Sequence, residues 1–197
     1  GLRKDVLEWM KKAGCFLIQF GVESGSQKIL DNINKQATVE MAIQTFNDCK
    51  ELGILTHAYL MIGNPGESKE TILDIIKLVK RIHAFSAHVF FTVPYPGTEL
   101  HQTWKEHGIL NHLDWKFYNP HFENALGLIK LNMPKEDCIT AKKDIALSVE
   151  KNSRRLRDIF YLFKDGYIFK KLLKNSIKNI GFFRILVTMI TAITERD

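Results

Sequence analysis

Three apolar runs, each followed by a polar turn and by helical periodicity, constrain the fold of this chain more than any other feature. The runs span residues 16–22, 57–62 and 87–93. Strands that alternate with helices at this spacing predict right-handed crossover connections and a parallel sheet, and therefore the α/β class. Because the runs are apolar throughout instead of alternating with polar residues, we expect other parts of the protein to cover both faces of the sheet.

Caps and one-sided apolar residues mark the helices that connect these runs. Thr38 and Ser68 have the positions of N-caps, and Gly53 and Gly108 those of C-terminal stops. Helices are therefore predicted to begin near residues 39, 69 and 99, after an earlier helix that closes at Gly14. Three strands are too few for a closed eight-stranded barrel, but they suit one half of a barrel or one side of an open sheet.

Charge divides the chain into a neutral front and a basic tail. Residues 1–134 hold 14 Lys and Arg against 14 Asp and Glu, whereas residues 135–197 hold 14 against 8, which accounts for the net charge of +6. The charge therefore separates a neutral strand–helix front from a basic, aromatic-rich tail.

Each predicted strand ends in a polar turn that contains glycine. The first turn reads GVESGS (residues 21–26), the second GNPGES (residues 63–68) and the third PYPGTE (residues 94–99). Because parallel strands point the same way, these turns are expected to meet at the carboxyl edge of the sheet, where α/β proteins bind ligands.

The acidic and aromatic side chains of these turns suggest what such a site could bind. Glu23 could accept hydrogen bonds from a pair of hydroxyls, as acids do for ribose in dinucleotide sites, and Tyr95 could present its ring to a flat ligand. Simpler explanations exist, since the glycines suit turns and Glu23, Glu67 and Glu99 could complement helix dipoles. The expected meeting of three such turns favours a binding site.

At these turns the sequence closely resembles the radical S-adenosylmethionine (radical SAM) superfamily, in KKAGCFLIQFGVESGS, YLMIGNPGES and FTVPYPGTEL. The resemblance covers about residues 2–115 and is nearest to the branch with a cobalamin-binding domain upstream. It implies that residues 1–115 are the carboxyl-terminal half of a partial (β/α) barrel with parallel strands. Residues 116–197 would then be a connecting segment and a basic, aromatic-rich α-helical C-terminal extension. It also implies S-adenosylmethionine and a [4Fe-4S] cluster as cofactors, with cobalamin as a further candidate.

The resemblance places the cofactor contacts at the ends of all three strands. They are Glu23 and Ser24 beside the ribose, Met61, Ile62 and Gly63 against the adenine and the methionine part, and Val93 and Tyr95 flanking the adenine. The function implied for the intact protein is cleavage of S-adenosylmethionine to start radical chemistry, with cobalamin-assisted methyl transfer or rearrangement as candidate reactions. No residue of this chain is assigned a catalytic role.

The sequence departs from the family in one respect: these residues do not contain the family's cluster loop, CxxxCxxC. The three cysteines are too far apart for a local ligand set, since Cys15 opens a strand, Cys49 lies on the inner face of a helix and Cys138 is distant from both. We therefore predict no metal ligand here and expect the cluster ligands upstream, on the missing half of the barrel. The intact protein would be an enzyme, and this chain alone would be inactive.

Two alternatives remain open at this point. The first is a non-catalytic nucleotide-binding or scaffold module, which a CxxxCxxC motif upstream would argue against. The second is a phosphate-binding barrel enzyme, although the second turn lacks the GK[ST] ending of a phosphate loop.

The basic tail mixes lysines and arginines with aromatic residues over 154–193, and its longest uncharged apolar stretch is too short to span a bilayer. Packing of helices on the barrel is the leading interpretation, with a membrane surface and then RNA as alternatives. The substrate is expected to be a small or lipid-like molecule. An odd number of cysteines without a secretory signal indicates a reducing, cytoplasmic setting.

Overall fold

The computed structural model describes residues 2–108, 110, 115, 118–121, 123–127 and 133–152. Its elements are α1 (Lys4–Lys12), β1 (Leu17–Glu23), α2 (Gln27–Asn32), α3 (Val39–Glu51), β2 (Leu55–Ile62), α4 (Lys69–Ile82), β3 (Ser86–Phe91), α5 (Glu99–Glu106), a 3-10 helix (Glu123–Gly127) and α6 (Lys135–Asn152). The part of the C-terminal extension predicted beyond residue 152 lies outside the described residues.

The three strands form a parallel sheet in the order β1-β2-β3. Leu17 pairs with Leu55 at the amino end, and Ile62 pairs with Phe91 at the carboxyl end. The predicted α/β class with parallel strands is confirmed, and each strand returns to the sheet through helical segments, as a section of a (β/α) barrel requires.

The predicted starts of the two long connecting helices are also confirmed. The hydroxyl oxygen of Thr38 accepts a hydrogen bond from the backbone N–H of Met41 at 3.1 Å, at the beginning of α3. At the beginning of α4, the backbone N–H of Ser68 donates to the hydroxyl of Thr71 at 2.9 Å. These caps occupy N–H groups that the first turn of a helix leaves without partners.

Within the described residues, helices cover one face of the sheet, and the expected cover of the second face stays a prediction. On the covered face, Ala58, Leu60 and Ile62 of β2 belong to the same buried cluster as residues of α3, α4 and α6. Their neighbours Tyr59 and Met61 point to the other face and are only half-buried. The run looked continuous because the residues on its open face are themselves aromatic or apolar.

None of the described helices combines the length and the apolar character needed to cross a membrane.

Candidate functional site

The three turns lie side by side at the carboxyl edge of the sheet. The hydroxyl of Thr92, just before the third turn, donates to Asn64 Oδ1 in the second turn at 2.8 Å, and both side chains are buried. Asn32, at the end of α2, donates to the carbonyl oxygen of Pro65 at 2.9 Å. The second turn is therefore bonded to the chain just before the third turn, and to the first turn through α2.

Glu23 combines a strained backbone with a half-buried ion pair. Its φ is +63°, in the left-handed region that residues other than glycine rarely adopt, and the pairing of β1 with β2 is irregular between Gly21 and Glu23. Such a backbone costs on the order of 1–3 kcal/mol and persists only where its surroundings hold it. The side chain is 19% exposed, and its Oε1 lies 3.1 Å from Lys35 Nζ. This arrangement holds a carboxylate in a fixed position at the edge.

The two glycines of the first turn have different roles. A Cβ at Gly21 would lie 2.5 Å from Glu23 Oε1 and 3.1 Å from Lys35 Nζ, so Gly21 leaves the space that the ion pair occupies. A Cβ at Gly25 would lie 2.3 Å from the carbonyl oxygen of Asp74. Gly25 is therefore explained by the close packing of the first turn on the backbone of α4, and not by the approach of a ligand.

Ser24, which the resemblance placed beside the ribose, has a fully buried side chain. Its hydroxyl oxygen accepts a hydrogen bond from the backbone N–H of Ser26 at 3.2 Å. In this conformation Ser24 shapes the turn, and Glu23 carries the polar chemistry that the first turn presents.

The residues at the end of β2 are divided between the two faces of the sheet. Met61 lies half-buried on the open face, whereas the side chain of Ile62 is fully buried in the main core. Only the backbone of Ile62 could therefore contact a ligand, and its carbonyl oxygen accepts a hydrogen bond from the N–H of Thr92 at 2.8 Å. Gly63 has a φ of +90°, which suits the sharp start of the second turn.

Glu67 is the polar residue of the site whose role sequence reasoning missed. Its side chain is 2% exposed, its Oε2 accepts a hydrogen bond from the N–H of Gly63, and its Oε1 has no partner within the described part of the chain. Burial raises the pKa of Glu67 to about 7, although hydrogen bonds from Gly63 and Asn64 act in the opposite direction. Glu67 braces the second turn from inside, a role that its position before a helix did not reveal.

The third turn offers an exposed ring beside a small apolar cluster. Val93 is partly buried and packs both on the main core and on the cluster formed by Trp104 and Tyr118. Tyr95 is 44% exposed, and its hydroxyl donates to the carbonyl oxygen of Tyr118 at 3.4 Å. The ring of Tyr95 is thus accessible, as the sequence suggested.

Residues 1–79, which contain the first two turns, match the family model of the radical SAM superfamily. Over residues 1–79 this chain is therefore similar to the radical SAM superfamily. An uncharacterized methyltransferase of Pyrococcus horikoshii is 32% identical over 115 residues, which cover 58% of this chain and 25% of that protein. Bacteriochlorophyllide d C-8(2)-methyltransferase of Chlorobaculum tepidum is 28% identical over 109 residues, which cover 54% of this chain and 24% of that enzyme.

The chain therefore spans about a quarter of the length of these curated relatives. Among solved structures, coproporphyrinogen III oxidase from Escherichia coli, a radical SAM enzyme, is similar with a TM-score of 0.48 and 16% identity, over 83% of this chain and 30% of that one.

Radical SAM proteins use S-adenosylmethionine and a [4Fe-4S] cluster, and the cysteines of this chain do not fit the cluster. Cys49 and Cys138 are fully buried, and burial raises the pKa of Cys49 to about 12 and that of Cys138 to about 11. Iron is bound by the thiolate, so thiols that stay protonated are poor ligands. Over the described ranges, no group of three or more His, Cys, Asp or Glu residues is placed to hold a metal ion.

Proposed function

We propose that this chain supplies part of the S-adenosylmethionine-binding edge of a radical SAM methyltransferase. The observation that carries the proposal is Glu23, a half-buried carboxylate held in a strained backbone at the carboxyl edge, inside the segment that matches the family. Strained residues that their surroundings hold in place are concentrated at functional sites. A fixed acceptor of this kind suits two adjacent hydroxyls, such as those of a ribose.

The other parts of the edge complement Glu23. Met61 on the open face and the exposed ring of Tyr95 would provide apolar and flat contacts for an adenine, with Gly63 and the backbone of Ile62 between them. Lys35 would keep Glu23 in its orientation until the hydroxyls arrive. A bound [4Fe-4S] cluster would supply the electron that cleaves S-adenosylmethionine, while the residues of this chain would bind and orient the cofactor.

The proposal of methyl transfer is supported by two relatives that are methyltransferases by name. We propose further that cobalamin assists the transfer, because the three turns resemble the branch that carries a cobalamin-binding domain. In the complete protein, reduced anaerobically with S-adenosylmethionine, added cobalamin should increase the yield of methylated product. An unchanged yield would remove cobalamin from the proposal and leave the cleavage reaction in place.

The role of Glu23 is tested by the affinity of the complete protein for S-adenosylhomocysteine. Glu23→Gln should weaken binding by roughly 10- to 100-fold, which is the loss expected for a charge-assisted hydrogen bond. The matched control is Glu40→Gln, since Glu40 is an exposed acid on the first turn of α3. Titration calorimetry would contradict the proposal if both variants bound as tightly as the unchanged protein.

A second candidate is a nucleotide-binding module without a catalytic cluster, which the carboxylate of Glu23 at the edge would suit equally well. It requires the same edge but no cleavage. The formation of 5′-deoxyadenosine by the complete, iron- and sulfide-reconstituted protein would support the enzyme. Binding of S-adenosylhomocysteine with no 5′-deoxyadenosine would support the module.

A further inference from the structure

The face of the sheet opposite the helices carries a continuous series of rings. The ring centroids of His57 and Tyr59 are 4.6 Å apart, those of Tyr59 and Phe90 are 5.7 Å apart, and those of Phe90 and His88 are 4.6 Å apart. His121 then packs edge-on against Phe90 at 4.8 Å and against His88 at 5.4 Å. We call these five residues the ring face.

Strand geometry and two hydrogen bonds hold the ring face in place. Four of its members occupy alternate positions of β2 and β3, and the register sets Tyr59 opposite His88. His121 comes from the turn that follows residue 118. The hydroxyl of Tyr59 donates to Gln19 Oε1 at 3.1 Å, and Nδ1 of His57 lies 2.7 Å from the hydroxyl of Ser86. Since these partners fix the rings, little side-chain entropy would be lost when a ligand stacks on them.

The ring face is also a face of bases. His57, His88 and His121 are its basic residues. Lys142 lies beside the ring face on the helix-covered side, where Nζ lies 4.5 Å from the ring centroid of Phe91 and donates to the carbonyl oxygen of His121 at 3.1 Å. Burial lowers the pKa of Lys142, while the charge of Glu123 acts in the opposite direction.

Two histidines of the ring face also have lowered pKa values. Burial lowers the pKa of His57 and of His88, with the neighbouring His88 adding to the effect on His57, and His121 and Lys142 adding to the effect on His88. Among the described residues, no carboxylate forms an ion pair with Lys142 or with a histidine of the ring face. Each of these bases makes protonation of its neighbours less favourable, and none forms an ion pair with an acid. Such a group of bases is complementary to an incoming anion.

We propose that the ring face binds a flat ring compound carrying a carboxylate, and that this compound is the substrate of the proposed enzyme. The ring would stack on Tyr59 and Phe90, and the carboxylate would lie near His88 and His121. Met61, which pairs with Phe90, continues the same face to the carboxyl edge where S-adenosylmethionine is proposed to bind. The identification as substrate rests on the proposed function, whereas the binding itself depends on the ring face alone.

Three naphthalene probes test the charge and the flat ring together on the full chain. They are 2-naphthoate, the neutral 2-naphthalenemethanol and the cationic 2-naphthylmethylamine. We expect 2-naphthoate to bind about tenfold more tightly than the cation, a difference of about 1.4 kcal/mol, with the neutral probe in between. Equal affinities for all three probes, or no binding of 2-naphthoate, would overturn the proposal.

Proton uptake provides an independent readout of the same event. An anion beside His88 would raise its pKa, so 2-naphthoate should bind with proton uptake near pH 7, measured by calorimetry in buffers with different ionisation enthalpies. Binding of 2-naphthoate without proton uptake would place the carboxylate away from His88 and contradict the proposed geometry.

Variants locate the binding on the ring face. His88→Gln should weaken 2-naphthoate by roughly tenfold and abolish the proton uptake, while leaving the neutral probe unaffected. The matched control His107→Gln, at the exposed end of α5, should change neither. His121→Gln is a second variant with the same expectation for affinity should His88→Gln fail to fold. Unchanged affinity in a folded variant would overturn the assignment.

The outcomes separate this inference from the proposed function. The probes need neither S-adenosylmethionine nor a cluster. Binding of 2-naphthoate by a protein that does not bind S-adenosylhomocysteine would retain the ring face and reject the proposed function. A protein that binds S-adenosylhomocysteine but does not bind 2-naphthoate would retain the proposed function and reject the ring face as a binding site.

Discussion

Glu23 combines a strained backbone with a proposed role in binding. The sequence placed it at the end of a strand, in a turn expected at the carboxyl edge, and the structure adds the left-handed backbone and the ion pair with Lys35. Strain at one position cannot be read from residue types, because it depends on how β1 and β2 pair around it. Its role as a ligand contact stays a prediction.

The strain at Glu23 predicts an unusual order of stabilities. Glu23→Ala and Glu23→Gly both remove the ion pair with Lys35, but glycine adopts a positive φ without the cost that alanine has. We expect Glu23→Gly to be more stable than Glu23→Ala by about 1 kcal/mol, measured by urea unfolding. Equal stabilities, or a more stable alanine variant, would show that the backbone at position 23 is not strained.

The raised pKa of Glu67 predicts that the protein loses stability as pH rises towards 7, which is the opposite of the effect of a carboxylate whose pKa is lowered by folding. Its pKa is raised from 4.5 in the unfolded chain to about 7 in the folded one. The folded state therefore binds more protons between these values, so the free energy of unfolding should fall as pH rises from 4.5 to 7 and then level off. The contribution is on the order of 3 kcal/mol, from 1.36 kcal/mol per pKa unit.

The variant Glu67→Gln should remove this decline, so that the difference between unchanged protein and variant isolates the contribution of Glu67. The control Glu70→Gln should retain the decline, because a hydrogen bond from Ser68 lowers the pKa of Glu70. A difference curve between unchanged protein and Glu67→Gln that is flat from pH 4.5 to 7 would contradict the account.

For single residues, the sequence did not predict whether a side chain points towards the core or away from it. The end of β2 reads LMI, with no polar residue to show which side chain faces the core, so Met61 and Ile62 were equivalent in the sequence. Glu67 and Glu99 were equivalent for the same reason, although the first is buried and the second exposed. Burial depends on the elements that pack above a residue, and these come from distant parts of the chain.

At the scale of elements, the alternation of strands and helices and their caps were predictable, and the shortest helix was not. Thr38 and Ser68 begin α3 and α4 as expected. The six residues of α2 are too few to show a helical period, so the sequence indicated only where it starts. Aromatic residues on the second face of the sheet gave its strands the pattern of strands buried on both sides, and cover of that face stays a prediction.

The contact between the first turn and α4 predicts a large effect at one glycine. Gly25→Ala should destabilise the protein by about 3 kcal/mol, at the upper end of the cost of overpacking, because the new methyl group would meet the backbone at Asp74 and Ile75. Gly97→Ala is the comparison, since a Cβ there meets nothing within 4 Å and costs about 1 kcal/mol for its positive φ. Thermal unfolding that ranks the two variants equally would contradict this packing.

At the scale of the whole molecule, the described elements form one section of a (β/α) arrangement, with helices on one side of a parallel sheet and rings and bases on the other. The three turns link the two sides at the carboxyl edge. The division into residues 1–115 and 116–197 stays a prediction, as do the roles proposed for the basic tail. The resemblance recognised in the turns agrees with the family match over residues 1–79.

Hydrogen exchange with and without S-adenosylmethionine, followed by mass spectrometry on the complete protein, tests the meeting of the three turns most directly. The account predicts that the cofactor slows exchange in all three turns, residues 21–26, 63–68 and 94–99, and that Glu23→Gln abolishes this protection at the same cofactor concentration. Protection confined to one turn, or absent from all three while the cofactor binds elsewhere, would contradict it.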